Sequence, residues 1–144
     1  MSRVQLALNV TDVDAAVAFY EKVFGTPVSK RRDGYANFAI AEPPLKLVLI
    51  ESSEGGTLNH LGVEVESTRE VNAATKRFVD DGLTTFEEQG VECCYAKQDK
   101  VWLTDPDGAG WEFYTVLADS QKMSSVGEDG CCTTAPTGLV DQSA

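Results

Sequence analysis

No apolar run in this chain approaches the roughly 20 residues needed to cross a bilayer. The first ten residues, MSRVQLALNV, lack the apolar h-region and small-residue cleavage site of a secretory signal. Basic side chains are scarce, 12 Lys and Arg against 23 Asp and Glu, for a net charge of −11. A surface of that sign repels phosphate, which excludes nucleic acid as a partner and disfavours anionic membranes. Cysteine is sparse too: four residues, as the adjacent pairs Cys93-Cys94 and Cys131-Cys132. A chain without leader or span is expected to be cytoplasmic, where clustered cysteines point to metal or catalysis before disulfides. What remains is ordinary for one soluble α+β domain: 144 residues, 42% hydrophobic and 24% charged.

The first half of the chain is repeated in the second. Val4–Val10 alternates as a strand should, and Thr11-x-x-Asp14 offers a capping box to a helix with Val13, Ala16, Val17, Tyr20, Val23 and Phe24 on its apolar face. Gly25 is placed to end it. From Asn59 the pattern returns: an alternating strand to Val65, a capping box at Ser67-x-x-Glu70, an apolar face of Val71, Ala74, Phe78 and Val79, and Gly82. Gln5 to His60 is 55 residues, Thr11 to Ser67 is 56 and Gly25 to Gly82 is 57. Strand-like segments follow each helix: Val28–Arg32, Tyr35–Ile40 and Leu45–Glu51, then Thr84–Glu88, Val91–Tyr95, Lys100–Thr104 and Trp111–Leu117. Each half reads βαβββ, predicting a domain over residues 1–118 with modules of about 1–54 and 55–118 around a curved sheet cleft. Residues 119–144, rich in Ser, Gly, Thr, Asp and Pro, read as a flexible tail.

Strand phase picks out candidate ligands. Leu6, Leu8 and Val10 share the face expected to pack under the helices, as do Leu61, Val63 and Val65 in the repeat. Gln5 and the single histidine, His60, then occupy matching positions on the opposite, cleft face. Glu112 is out of phase with Trp111 and Phe113 and joins them there. An amide, an imidazole and a carboxylate converging on a cleft suit a divalent metal. Each residue alone has an ordinary reading: a surface amide, a satisfied structural histidine, a cross-strand ion-pair partner. The position matching Glu112 in the first half falls at Leu47 or a neighbour in Lys46-Leu47-Val48-Leu49; with Leu47 there nothing can ligate, and three protein donors would leave open coordination positions, as catalytic sites do.

The halves differ in length. Gly25 to Leu47 is 22 residues and Gly82 to Glu112 is 30, the excess falling around Glu87–Gln98, which holds Cys93 and Cys94. Adjacent cysteines on a regular strand point to opposite faces, and a disulfide between them is strained. On a loop both sulfurs can face one soft guest, such as trivalent arsenic, cadmium, zinc or copper(I). Tyr95, Trp102, Trp111 and Tyr114 line the cavity or, as aromatics on strands commonly do, pack in the core.

The VQLALNV strand, the NHLGVEVES segment and the DPDGAGWEFY hairpin resemble the vicinal oxygen chelate superfamily over about residues 3–117. The cysteine pair in GVECCYAKQDKVW narrows this resemblance to the ArsI-type carbon–arsenic lyases and the similar cadmium-induced CadI proteins. The resemblance implies an Fe(II)- and O2-dependent enzyme that splits the C–As bond of trivalent organoarsenicals. Methylarsonous acid and reduced aromatic arsenicals would be its substrates, and arsenite its product. It further implies Gln5, His60 and Glu112 as iron ligands and Cys93 and Cys94 as arsenic ligands. The chain would act as a monomer or homodimer. A non-catalytic protein sequestering cadmium or arsenite through both cysteine pairs is the alternative, and another enzyme of the fold, such as an extradiol dioxygenase or glyoxalase, a third. Cys131 and Cys132 would receive arsenite or have no role.

Overall fold

A computed structural model describes residues 1–123. The first module is β1 (Arg3–Val10), α1 (Val13–Phe24), β2 (Lys30–Arg32), β3 (Tyr35–Ile40) and β4 (Leu45–Glu51). The second is β5 (Leu58–Glu64), α2 (Thr68–Asp80), β6 (Phe86–Cys93), β7 (Ala96–Thr104) and β8 (Gly110–Asp119). Both are βαβββ, as the repeat predicts. The two stretches expected as separate strands, Thr84–Glu88 and Val91–Tyr95, form one strand, β6. A bulge between Glu88 and Val91, with Gly90 at φ 63°, joins them.

The eight strands form one sheet in the order β2-β3-β4-β1-β5-β8-β7-β6. β1 and β5 pair antiparallel at its centre, each flanked by a parallel partner from its own module, β4 and β8. The two modules are therefore related by a local twofold at the β1–β5 junction. The Gln5–Gly62 pair maps onto the His60–Ala7 pair.

Helices cover one face of the sheet. Leu6, Leu8 and Val10 pack with Val13, Ala16, Val17, Tyr20 and Phe24 of α1 and with Phe38, Leu47 and Leu49. Val71, Ala74 and Phe78 of α2 pack with Val65, Val101 and Phe113. Val23 and Val79 do not join these faces as expected; they are 54% and 55% exposed.

The other face is concave. Ala7, Tyr35, Val48 and Ile50 from the first module and Cys93 and Trp102 from the second form one buried cluster there. The sheet curls until its two ends meet. Lys30 of β2 donates to the Tyr95 carbonyl at 3.0 Å and reaches Asp119 at 2.5 Å, and the Tyr35 ring meets Tyr95 edge-on at 5.2 Å. Asp119 closes β8, and Ser120 to Met123 lie against the β6–β7 turn; the remainder of the expected tail, 124–144, lies outside the described residues.

Helix ends follow their local chemistry with one correction. Gly25 closes α1 in the left-handed conformation, φ 58°. Ser67 caps α2 by accepting from Glu70 N, and Gly82 N→Val79 O and Leu83 N→Phe78 O complete a Schellman ending. The α1 cap is Asp12, whose carboxylate accepts from Ala15 N at 3.1 Å, not Thr11. Asp12→Ala should therefore lower stability by about 1 kcal/mol and Thr11→Ala by no more than about 0.5 kcal/mol in urea unfolding. The reverse order would restore Thr11 as the cap.

Candidate metal and thiol site

The central pairing brings the polar residues together. Gln5 and His60 point from β1 and β5 into the concave face, and β8 places Glu112 opposite Gly62. All three are buried, His60 at 1% exposure and Glu112 at 3%. Gln5 Nε2 lies 2.9 Å from Glu112 Oε1 and 3.3 Å from His60 Nε2, and His60 Nε2 is 3.4 Å from Glu112 Oε1. Gly62 leaves the room for this: a Cβ there would sit 3.0 Å from Gln5 Nε2 and 3.1 Å from Glu112 Cγ.

Neighbouring side chains fix the orientation of each donor. Asn59 donates to Asn9 Oδ1 at 2.9 Å, which leaves its own Oδ1 facing His60 Nδ1 at 2.7 Å. The Nδ1 atom must therefore carry the ring proton, and the Nε2 lone pair points into the cleft. Tyr114 donates its hydroxyl to Gln5 Oε1 at 2.6 Å. Lys100, fully buried, bonds Glu112 Oε2 at 2.8 Å and lies over the Trp102 and Tyr114 rings. Burial pushes the Glu112 carboxyl up, but the Lys100 ammonium beside it outweighs this and holds it well below the usual carboxylate range. Glu112 is thus an ionised, buried carboxylate with one oxygen given to lysine.

This set fits a divalent cation. One imidazole lone pair and one carboxylate oxygen converge, with separations near the roughly 3 Å expected between adjacent ligands at about 2.1 Å from one ion. The Gln5 amide NH2 now donates to both, the part a cation would take. Ligation by Gln5 needs the amide turned so that its oxygen, now bonded to Tyr114, faces the ion. Among the described residues no group of three or more His, Cys, Asp or Glu side chains comes together; here two such side chains are joined by an amide. The first-half position matching Glu112 is Val48, within the expected stretch Lys46–Leu49 and one residue from Leu47. Parallel registers pair Ala7 with Val48 and Gly62 with Glu112, and Leu47 packs on the helical side. Val48 cannot ligate either, so the one-sided donor set stands.

Cys93 ends β6 and pairs with Ala96, leaving Cys94 and Tyr95 as a two-residue hairpin turn. Both have positive φ, 51° and 60°, the type I′ geometry that favours Asn-Gly and costs other residues about 1–3 kcal/mol each. The turn is held by Cys94 N→Met123 O, Tyr95 N→Lys122 O and Ser120 N→Tyr95 O, by Lys30, and by Arg32 over the Tyr95 ring at 5.7 Å. Cys93 has 0% exposure and shares a cluster with Trp102, whose ring meets His60 at 5.3 Å. The cysteine pair and the polar trio thus line one concave face. Each cysteine of the pair is disulfide-bonded. The expectation of reduced thiols does not describe this state. The extra length of the second module lies in this hairpin: β6 and β7 have 8 and 9 residues, against 3 and 6 in β2 and β3. Cys131 and Cys132 lie outside the described residues.

Of the four aromatic candidates, Trp102 and Tyr114 line the site, Tyr95 sits on the turn, and Trp111 alternates to the other face. Sequence reading missed Lys100, Asn59 and Gly62. The signal for Lys100 was its phase, two residues before Trp102 on one strand.

The chain belongs to the glyoxalase/bleomycin resistance protein/dioxygenase superfamily, whose family model matches residues 3–113. It is 60% identical over 126 residues to the cadmium-induced protein CadI of Mycobacterium tuberculosis, covering 87% of this chain and 83% of that protein. It is 53% identical over 140 residues to the trivalent organoarsenical cleaving enzyme of Thermomonospora curvata, covering 96% and 93%. Among solved structures, the Mn(II)-bound glyoxalase of Novosphingobium aromaticivorans superposes with a TM-score of 0.61 at 22% identity, over 85% of this chain and 42% of that one. The fold is thus that of the superfamily, whose members include proteins that hold divalent metal.

The close approach at Gly62 is testable. Gly62→Ala should destabilise the protein by about 1–3 kcal/mol, because Gln5 and Glu112 must shift to admit the methyl. Unchanged urea unfolding would show that the trio is looser than these distances.

Proposed function

We propose that this protein cleaves the carbon–arsenic bond of trivalent organoarsenicals with Fe(II) and O2. Gln5, His60 and Glu112 would hold the metal, and Cys93 and Cys94, as thiolates, the arsenic. The observation that carries this reading is the shared lining: Cys93 belongs to the same buried cluster as Trp102, and the Trp102 ring meets His60 edge-on at 5.3 Å. The name of the 53%-identical relative supports it.

Arsenic(III) bearing one carbon has two exchangeable hydroxyls. Each cysteine forms an As–S bond and passes its thiol proton to the departing hydroxyl, so two waters leave and no redox change occurs. The carbon is left as the third substituent, free to face the polar trio. Methylarsonous acid and reduced aromatic arsenicals fit this description, and arsenite is the inorganic product. Fixing the guest beside the reaction centre contributes several kcal/mol through lost translational freedom alone.

Fe(II), when bound, supplies dioxygen activation. The chain's own residues do the rest. Asn59 holds the imidazole in the tautomer that can ligate, and Lys100 keeps Glu112 ionised. Trp102, Tyr35 and Val48 keep water from the concave face. Cys93, His60 and Glu112 are all buried, so substrate access requires the residues that cover them to move. No helix among the described residues is long and apolar enough to cross a membrane, and we place the activity in the cytoplasm, where a reduced cysteine pair is maintained. Both donor sets come from one chain, so a monomer would suffice; a homodimer is equally compatible.

The 60% identity to a cadmium-induced protein favours a second reading, sequestration of cadmium or arsenite without turnover. One experiment separates the two. Metal-free protein, reduced with a thiol and reconstituted with Fe(II) under nitrogen, is given methylarsonous acid and then air. Arsenite should appear over many turnovers and fall at least 100-fold in Cys93→Ser and in His60→Ala (about 2.7 kcal/mol). Stoichiometric binding without arsenite would support sequestration. Asn59→Ala should weaken Fe(II) binding about 10–100-fold, measured by anaerobic titration; unchanged affinity would remove Asn59 from the account.

A further inference from the structure

Gln98 has a buried acceptor that nothing described so far uses. The residue is 3% exposed, and its Oε1 has no hydrogen-bond partner among the described residues. Proteins ordinarily pair such atoms, and an orphan beside a candidate site marks a place where a ligand group belongs. The amide orientation is not arbitrary. Nε2 donates to the Cys93 carbonyl at 2.7 Å, and turning the amide over would set oxygen against oxygen.

The location gives the orphan its meaning. Alternate residues of β7, namely Ala96, Gln98, Lys100 and Trp102, are buried. Ala96 pairs with Cys93, Lys100 bonds Glu112, and Trp102 touches His60. Gln98 therefore stands between the sulfur end of the site and the carboxylate end.

We propose that Gln98 is a specificity-determining residue whose Oε1 accepts a hydrogen bond from a hydroxyl or amino group on an aryl substituent of arsenic. This deepens the proposed function and rests on it. Once both cysteines have displaced the arsenic hydroxyls, the arsenic retains no donor of its own, so the donor must come from the carbon side. The site then favours trivalent aryl arsenicals that carry such a group over phenyl or methyl arsenicals. Gln98 also ties the Cys93 backbone to β7, so its loss affects every arsenical to some degree; only the ratio between ligands isolates the acceptor.

The test compares phenyl, 4-hydroxyphenyl and 4-methoxyphenyl arsenoxides, titrated anaerobically by calorimetry into the reduced full-length chain. Cys131→Ser and Cys132→Ser are introduced so that one cysteine pair remains. The hydroxyl compound should bind about 3- to 10-fold tighter than both others, the gain of one neutral hydrogen bond. Gln98→Met should bring the three within about 2-fold of one another while binding persists. Equal affinities in the Gln98 protein overturn the proposal, and they do so even if Gln98→Met fails to fold. A preference that persists in Gln98→Met overturns it as well. Loss of binding in Cys93→Ser shows that the thiolate reading holds independently of Gln98; binding that survives both Cys93→Ser and Cys94→Ser overturns that reading and this one with it.

Discussion

A buried carboxylate organises the concave face. Taking Glu112 out of water costs several kcal/mol, and its ion pair with Lys100 offsets this only because the geometry is close and both groups are enclosed. An apolar pair of similar volume would serve stability as well or better, so the charge is better explained by what it can hold. One oxygen is satisfied by Lys100. The other faces the Gln5 amide and the His60 lone pair, a meeting of electron donors with only an amide NH2 between them. That imbalance is what a cation would correct. The residues around it, Asn59, Tyr114 and Gly62, serve to keep the donors aimed.

The hairpin carrying the cysteines is the second constraint, and it is an expensive one. A Cys-Tyr pair occupies a turn that Asn-Gly would fill without strain. The cost is met by hydrogen bonds from residues 120–123 and by contacts with Lys30, Arg32 and Tyr35 of the other module. The turn therefore does two jobs: it presents two adjacent sulfurs on one side, which a regular strand cannot do, and it joins the open ends of the curled sheet. Strain that persists at such a place is more readily explained by function than by folding.

Much of this was legible in the sequence because repetition and phase are local signals. Gly25 and Ser67 announced helix ends, and the alternation of β1, β5 and β8 placed Gln5, His60 and Glu112 on one face. What was misread depended on relations between strands. Parallel register has no signature in a single strand, so the position matching Glu112 was bounded only to Lys46–Leu49 and the register alone selects Val48. The Gly90 bulge let one strand look like two. Thr11 and Asp12 are both good caps, and only backbone geometry chooses between them. Lys100 and Gln98 were passed over because such side chains are usually exposed; the expected strand began at Lys100, whereas β7 begins at Ala96 and carries Gln98 as well. Whether the trio binds metal and the cysteines bind arsenic lies in chemistry that alternation alone does not specify.

The most direct test is to locate both guests in one crystal. Fe(II)-loaded, reduced protein with a bound aryl arsenical, kept anaerobic, would show iron and arsenic by anomalous scattering at their separate absorption edges. The account predicts one iron among Gln5, His60 and Glu112, and arsenic on Cys93 and Cys94 with its carbon turned toward that ion. Iron elsewhere, or arsenic with its carbon turned away from the trio, would contradict it.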